Sequence, residues 1–150
     1  EALGRSGVDF SLTEGRLTVE GSPKRPIEVV TAPYPGYPTD LQPQICPLMS
    51  TFFGGNIKEG VWQGRFGYLN ELAEFGVRYM RDGSSVKIYP SQLRPAMAKA
   101  PDLRGGMACV MAALCSSGKS VISSSEIIMR GYSNLEAKLR LLGADVTCIK

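Results

Sequence analysis

The stretch Leu72-Ala73-Glu74-Phe75-Gly76-Val77-Arg78-Tyr79-Met80-Arg81-Asp82-Gly83-Ser84-Ser85-Val86-Lys87-Ile88-Tyr89 carries three local signals in order. Leu72 and Phe75 close an amphipathic helical pattern, and Gly76 follows as a residue able to take the left-handed conformation at a helix C-terminus. Apolar and polar residues then alternate on either side of Asp82-Gly83, a two-residue turn signal, so residues 77–81 and 85–89 read as a β-hairpin. Helix end, glycine and hairpin therefore form one unit.

The same junction occurs twice more. Leu, three residues, Gly, two residues and an apolar residue recur as Leu3, Gly7 and Phe10, and as Leu139, Gly143 and Val146. After Gly7, residues 8–12 and 16–20 flank Glu14-Gly15 as a second hairpin; after Gly143, residues 145–149 read as a strand. A second echo lies upstream of each junction. Thr39-Asp40-Leu41-Gln42 and Pro101-Asp102-Leu103-Arg104 each open an apolar run, predicting helices over 41–53 and 103–116. Strand candidates at 56–61 and 120–124 follow, then Arg-bearing helix starts at Arg65-Phe66 and Arg130-Gly131-Tyr132. With a strand at 27–30, the order is strand, helix, strand, helix, strand, strand. The fold class is α/β with repeated units: 1–25 the end of one, 26–94 a complete one, 95–150 most of another. Such repeats bury their faces on neighbours, so the phase suggests an excerpt of a longer chain.

Composition bounds the chemistry. With 150 residues, 43% hydrophobic and 21% charged, the chain has the make-up of a globular domain. A net charge of +3 with no block of five like charges argues against a nucleic-acid partner. No apolar run approaches the ~18 residues of a membrane span. Cys46, Cys109, Cys115 and Cys148 form no C-x-x-C pair and read as buried free thiols of a reducing cytoplasm. The sequence contains no His, which excludes Ser-His-Asp and His-metal chemistry within it. Acid–base work falls to Asp, Glu, Lys or Tyr, and no metal set or cofactor is called for.

The most unusual segment is Thr31-Ala32-Pro33-Tyr34-Pro35-Gly36-Tyr37-Pro38-Thr39-Asp40, with three Pro at 33, 35 and 38 between a strand and a helix. Proline fixes φ and lowers the entropy lost on ordering, so this loop holds Asp40 in a set position. Asp40 and Asp102 each suit a helix N-cap equally well.

Taken in order, the loop ending in Pro38-Thr39-Asp40-Leu41-Gln42, then Arg65-Phe66, Asp102-Leu103-Arg104, Arg130-Gly131-Tyr132 and Lys138-Leu139-Arg140-Leu141-Leu142-Gly143-Ala144-Asp145 resemble the UDP-N-acetylglucosamine 1-carboxyvinyltransferases. The resemblance implies βαβαββ units of an inside-out α/β barrel, here an incomplete domain from the C-terminal part, whose partner domain is missing. It implies an enolpyruvyl transfer from phosphoenolpyruvate to the 3′-hydroxyl of UDP-N-acetylglucosamine in peptidoglycan precursor synthesis. By motif match, Asp40 is the carboxylate beside the sugar hydroxyl and Asp102 the second active-site Asp. Val61 marks a backbone contact to the sugar nucleotide; Arg65, Arg104 and Arg130 line the phosphoenolpyruvate and phosphate region. Three motifs depart from the family: Gln63-Gly64 precede Arg65, Gly105-Gly106 follow Arg104, and Met129 precedes Arg130. The glycine pair predicts a weakened helix start, by about 1 kcal/mol per Gly. Two alternatives stay open: another acceptor such as shikimate 3-phosphate, or a non-catalytic interaction domain.

Overall fold

The computed structural model describes residues 2–149. Helix α1 (Ala2–Arg5) leads through Gly7 into the antiparallel hairpin β1 (Asp9–Thr13) and β2 (Arg16–Glu20), turned at Glu14-Gly15. Next come β3 (Ile27–Val30), a 3-10 turn (Thr39–Leu41), α2 (Gln42–Thr51), β4 (Gly55–Lys58), α3 (Leu69–Glu74), β5 (Arg78–Asp82) and β6 (Ser85–Tyr89). They build a four-stranded sheet in the order β3-β4-β6-β5, with β3 parallel to β4 and the other pairs antiparallel. The chain then repeats the opening of that pattern: β7 (Met97–Lys99), α4 (Leu103–Leu114), and β8 (Val121–Ser123) parallel to β7. Helices α5 (Glu126–Met129) and α6 (Leu135–Leu141) follow.

Parallel strands need a crossover, and α2 and α4 supply the two crossover helices, packed on each other. Their contact merges both units into one core, with Ile27, Ile57, Val86 and Ile88 from the sheet against Cys46, Met49 and Ala108 from the helices. A second cluster gathers Ala100, Met107, Ile128, Leu135 and Leu139 around the far side of α4. Burial of each large apolar side chain contributes about 1.5–3 kcal/mol, which dwarfs the local propensities of these short elements.

The helix-end junctions take the expected form: Gly7, Gly76 and Gly143 have φ of 82°, 89° and 91°. Three expectations are corrected. Residues 145–149 form no strand; their polar groups are answered by α6 side chains instead, Arg140 Nε donating to the Val146 carbonyl (2.7 Å) and the Cys148 N–H to Glu136 Oε2 (3.2 Å). Cys148 is therefore exposed and Cys115 half-buried, whereas Cys46 and Cys109 are buried, and burial pushes both of those thiols up to about 12. Arg65 lies in the turn before α3 and not at the helix start, and Arg130 begins no helix. It ends the single turn of α5, and left-handed Asn134 (φ 54°) separates that turn from α6.

The glycine pair also behaves differently from its propensity. A Cβ on Gly105 would stand 2.8 Å from both the Tyr68 Cβ and the Pro101 Cγ, and one on Gly106 would stand 2.6 Å from Ile128 Cγ1. The first turn of α4 is pressed between Tyr68 and α5, so glycine permits the close approach that seats Arg104.

Candidate functional site

Strand β3 continues past Val30 into Thr31, whose N–H donates to the Lys58 carbonyl (2.9 Å). The proline loop leaves there and returns: the Ala32 N–H donates to the Tyr37 carbonyl (3.1 Å) and the Gly36 N–H to the Pro33 carbonyl (2.8 Å). The loop thus closes on itself and delivers Thr39 and Asp40 beside the end of β4. Asp40 is not a helix cap. The 3-10 turn has Pro38 at its N-cap, α2 has Leu41, and neither end receives a side-chain cap.

The Asp40 carboxylate instead faces two guanidinium groups. Arg65 Nη1 donates to Oδ1 at 2.7 Å; Arg104 grips both oxygens, Nε on Oδ1 and Nη2 on Oδ2 at 2.9 Å. Such a planar fork suits a carboxylate or phosphate. The Arg104 hydrogen bond, aided by Arg65, holds the Asp40 carboxyl below its usual range, and Asp40 in turn raises Arg104. The site is open: the Asp40 side chain keeps 54% of its surface exposed, against 18% for Arg65. Arg65 also lies with its Cζ 5.3 Å from the ring centroid of exposed Trp62, which screens one face of the guanidinium.

Asp102 is the N-cap of α4. Its Oδ1 accepts from the N–H groups of Arg104 and Gly105, both at 2.8 Å, so it fixes the helix turn that presents Arg104 and does not join the Asp40 cluster. Arg130 is exposed outside the cluster, although its neighbours connect to it. Gly131 packs on Leu103, and Gln44 Nε2 donates to the Tyr132 hydroxyl (2.7 Å) while lying 3.3 Å from the Asp40 carbonyl. Val61 is exposed and spends its N–H on Glu59. A cleft of about 900 Å³ lined by Thr51, Phe52, Gln92, Arg94 and Cys115 holds none of these residues.

Glu59, which sequence reasoning passed over, organises the site from beneath. It is 2% exposed. Its Oε1 accepts from Thr31 Oγ1 (2.6 Å) and from the N–H groups of Val61 and Trp62 (both 2.9 Å); its Oε2 accepts from Thr39 Oγ1 (2.9 Å). Burial alone would push this carboxyl up, but the hydrogen bonds outweigh it and leave the group lowered and ionised. The one visible signal was a Glu directly after a strand and before Gly60-Val61, where a side chain turned inward must find donors. Among the described residues no group of three or more His, Cys, Asp or Glu side chains could hold a metal ion.

The model of the EPSP synthase (3-phosphoshikimate 1-carboxyvinyltransferase) family matches residues 2–139. The chain belongs to this family. Within it, the UDP-N-acetylglucosamine 1-carboxyvinyltransferase 2 of Streptococcus mutans is 39% identical over 99% of the chain, and the UDP-N-acetylglucosamine 1-carboxyvinyltransferase of Desulfofundulus thermocisternus is 40% identical over 96%. The chain spans 36% of the first relative's length and 60% of the second's. Among solved structures, the enolpyruvyl transferase NikO from Streptomyces tendae superposes with a TM-score of 0.83 at 30% identity, over 95% of this chain and 34% of that one. An EPSP synthase from Acinetobacter baumannii, at 14% identity and a TM-score of 0.73, shares the fold. The architecture is thus the mixed α/β fold of the enolpyruvyl transferases, and the match corresponds to part of it.

Proposed function

We propose that the chain is the acceptor-activating part of a transferase that moves the enolpyruvyl group of phosphoenolpyruvate onto the 3′-hydroxyl of UDP-N-acetylglucosamine, in the cytoplasm and for peptidoglycan synthesis. The observation that carries this reading is the Asp40 carboxylate held between Arg65 and Arg104, three groups drawn from three separate loops and helix starts. The 37–40% identical relatives favour a sugar-nucleotide acceptor over shikimate 3-phosphate.

The chemistry follows from the charges. With both oxygens occupied, Asp40 is a weak base. An anionic substrate offers phosphate and carboxylate oxygens to the same guanidinium forks, and each fork it takes releases an Asp40 oxygen toward the acceptor hydroxyl. Asp40 then accepts the hydroxyl proton as the oxygen bonds to C2 of phosphoenolpyruvate, while a proton donor outside this cluster supplies C3. Loss of a C3 proton breaks the C2–O bond to phosphate and restores the double bond; inorganic phosphate leaves into the arginine pocket. In this scheme Asp102 acts by orienting Arg104, Arg130 approaches the anion from the α5 turn, and the Val61 carbonyl remains for the sugar nucleotide. The units are 1–25, 26–94 and 95–150. The solvent-facing Phe10, Leu12, Leu17 and Val19 of the β1–β2 hairpin support a further unit, and the missing partner domain, packing beyond it.

The test is phosphate release by the native full-length protein. Release that requires both phosphoenolpyruvate and UDP-N-acetylglucosamine is expected. Release only with shikimate 3-phosphate would reassign the acceptor, and none with any acceptor would leave an interaction domain.

A further inference from the structure

We propose that Glu59 is a positioning residue of this site: through the Thr39 hydroxyl it sets the direction from which Arg65 holds Asp40. The inference rests on the transferase reading of the Asp40 cluster and names a group that reading does not contain. A carboxylate 2% exposed is expensive to bury in ionised form, and none of its hydrogen-bond donors is a cation. It is kept by four neutral donors from three segments: the end of β3, the turn after β4, and the end of the proline loop. The polarity of the contacts is determined by counting protons. Thr39 has one hydroxyl proton, and Glu59 Oε2 takes it at 2.9 Å; the Thr39 oxygen therefore presents lone pairs to Arg65 Nη1 at 3.3 Å. The same nitrogen donates to Asp40 Oδ1 at 2.7 Å. Thr31 repeats the device, donating to Glu59 at 2.6 Å and accepting from the Gly60 N–H at 2.8 Å. Glu59 thus orients two hydroxyls as acceptors, and one of them braces the arginine. Arg104 reaches Asp40 from α4 without this brace.

Nitrogen-15 spectroscopy of the arginine side chains separates positioning from mere support of the fold. In the unsubstituted full-length protein, restrained rotation is expected to keep the terminal nitrogens of both Arg65 and Arg104 distinct. Glu59→Gln and Thr39→Val are expected to average the Arg65 signals while those of Arg104 remain distinct. In the native full-length protein, Thr39→Val should lower kcat by about 10–100-fold with little change in KM, as expected for a misplaced group and not a lost contact. If Glu59→Gln does not fold, Thr39→Val decides, because it keeps the buried carboxylate with its three donors on Oε1 and removes the hydroxyl that joins Oε2 to Arg65. Arg65 signals as distinct in Thr39→Val as in the unsubstituted chain would overturn the proposal. Averaged Arg65 signals in Thr39→Val, together with no phosphate release by the unsubstituted full-length protein, would uphold the positioning and sink the transferase reading, whereas turnover by the unsubstituted protein with Arg65 unmoved in the variant would do the reverse.

Discussion

Replacing Gly105 by Ala sets two effects of opposite sign against each other at one atom. Inside a helix, Ala is favoured over Gly by about 1 kcal/mol, so propensity alone makes Gly105→Ala stabilising. The added Cβ, however, would lie 2.8 Å from the Tyr68 Cβ and 2.8 Å from the Pro101 Cγ. Neither atom is the far end of a flexible chain: Tyr68 is 1% exposed with its hydroxyl 3.2 Å from the Cys46 sulfur, and Pro101 is a ring. Overpacking of this kind costs about 1–3 kcal/mol, which leaves a net loss of roughly 0–2 kcal/mol. Urea unfolding followed by circular dichroism reads the difference as a lower midpoint at unchanged slope. Gly67→Ala is the control, since a Cβ there meets nothing within 4 Å. A midpoint that rises for Gly105→Ala as much as for Gly67→Ala would refute the claim that α4 needs a glycine where it passes Tyr68.

Glu59→Gln should lose about 2–4 kcal/mol at neutral pH, since hydrogen bonds to a charged group contribute about 1.5–3 kcal/mol each and the amide can satisfy only part of the set. Because the folded carboxyl is lowered, its contribution is present above the unfolded value and lost as pH falls; the gap between the two proteins should narrow below pH ~4.5 in denaturant titrations at several pH values. Asp102→Ala removes the α4 cap and should cost about 1 kcal/mol, with Asp102→Asn or Asp102→Ser recovering most of it in the same assay. Arg130→Ala should leave the unfolding midpoint within about 0.5 kcal/mol, as for an exposed position. In calorimetric titrations with the full-length protein it should still weaken binding of phosphoenolpyruvate, and equal affinity would remove Arg130 from the pocket.

Much of this architecture could be read locally. Each Leu-x-x-x-Gly junction needs only one helix end and one left-handed glycine, and Asp82-Gly83 needs only its own turn, so the hairpin of β5 and β6 appeared with nearly its final limits. The Asp40, Arg65 and Arg104 meeting was accessible through a family resemblance and not through spacing, because its members lie 25 and 64 residues apart. Glu59 stayed hidden for a related reason. Two of its donors, Thr31 and Thr39, lie 28 and 20 residues away; the alternation of β4, continued by one residue, turns Glu59 inward with Gly55 and Ile57, but no local pattern names the donors that meet it there. Residues 145–149 have a strand's composition, but a strand exists only with a ladder partner, and α6 side chains took the available polar groups. Gly105-Gly106 looked like a defect for the same reason: propensity is local, and the surface that requires glycine belongs to Tyr68 and Ile128.

The proposed reaction requires that Asp40, once an anionic substrate takes its arginines, accepts the proton of the acceptor hydroxyl. Its sharpest test is single-turnover phosphate release by the full-length protein carrying Asp40→Asn. The expected rate is lower by about 10²–10⁴-fold, the span of general-base catalysis, with phosphoenolpyruvate still bound. A variant that releases phosphate at the unsubstituted rate would contradict it.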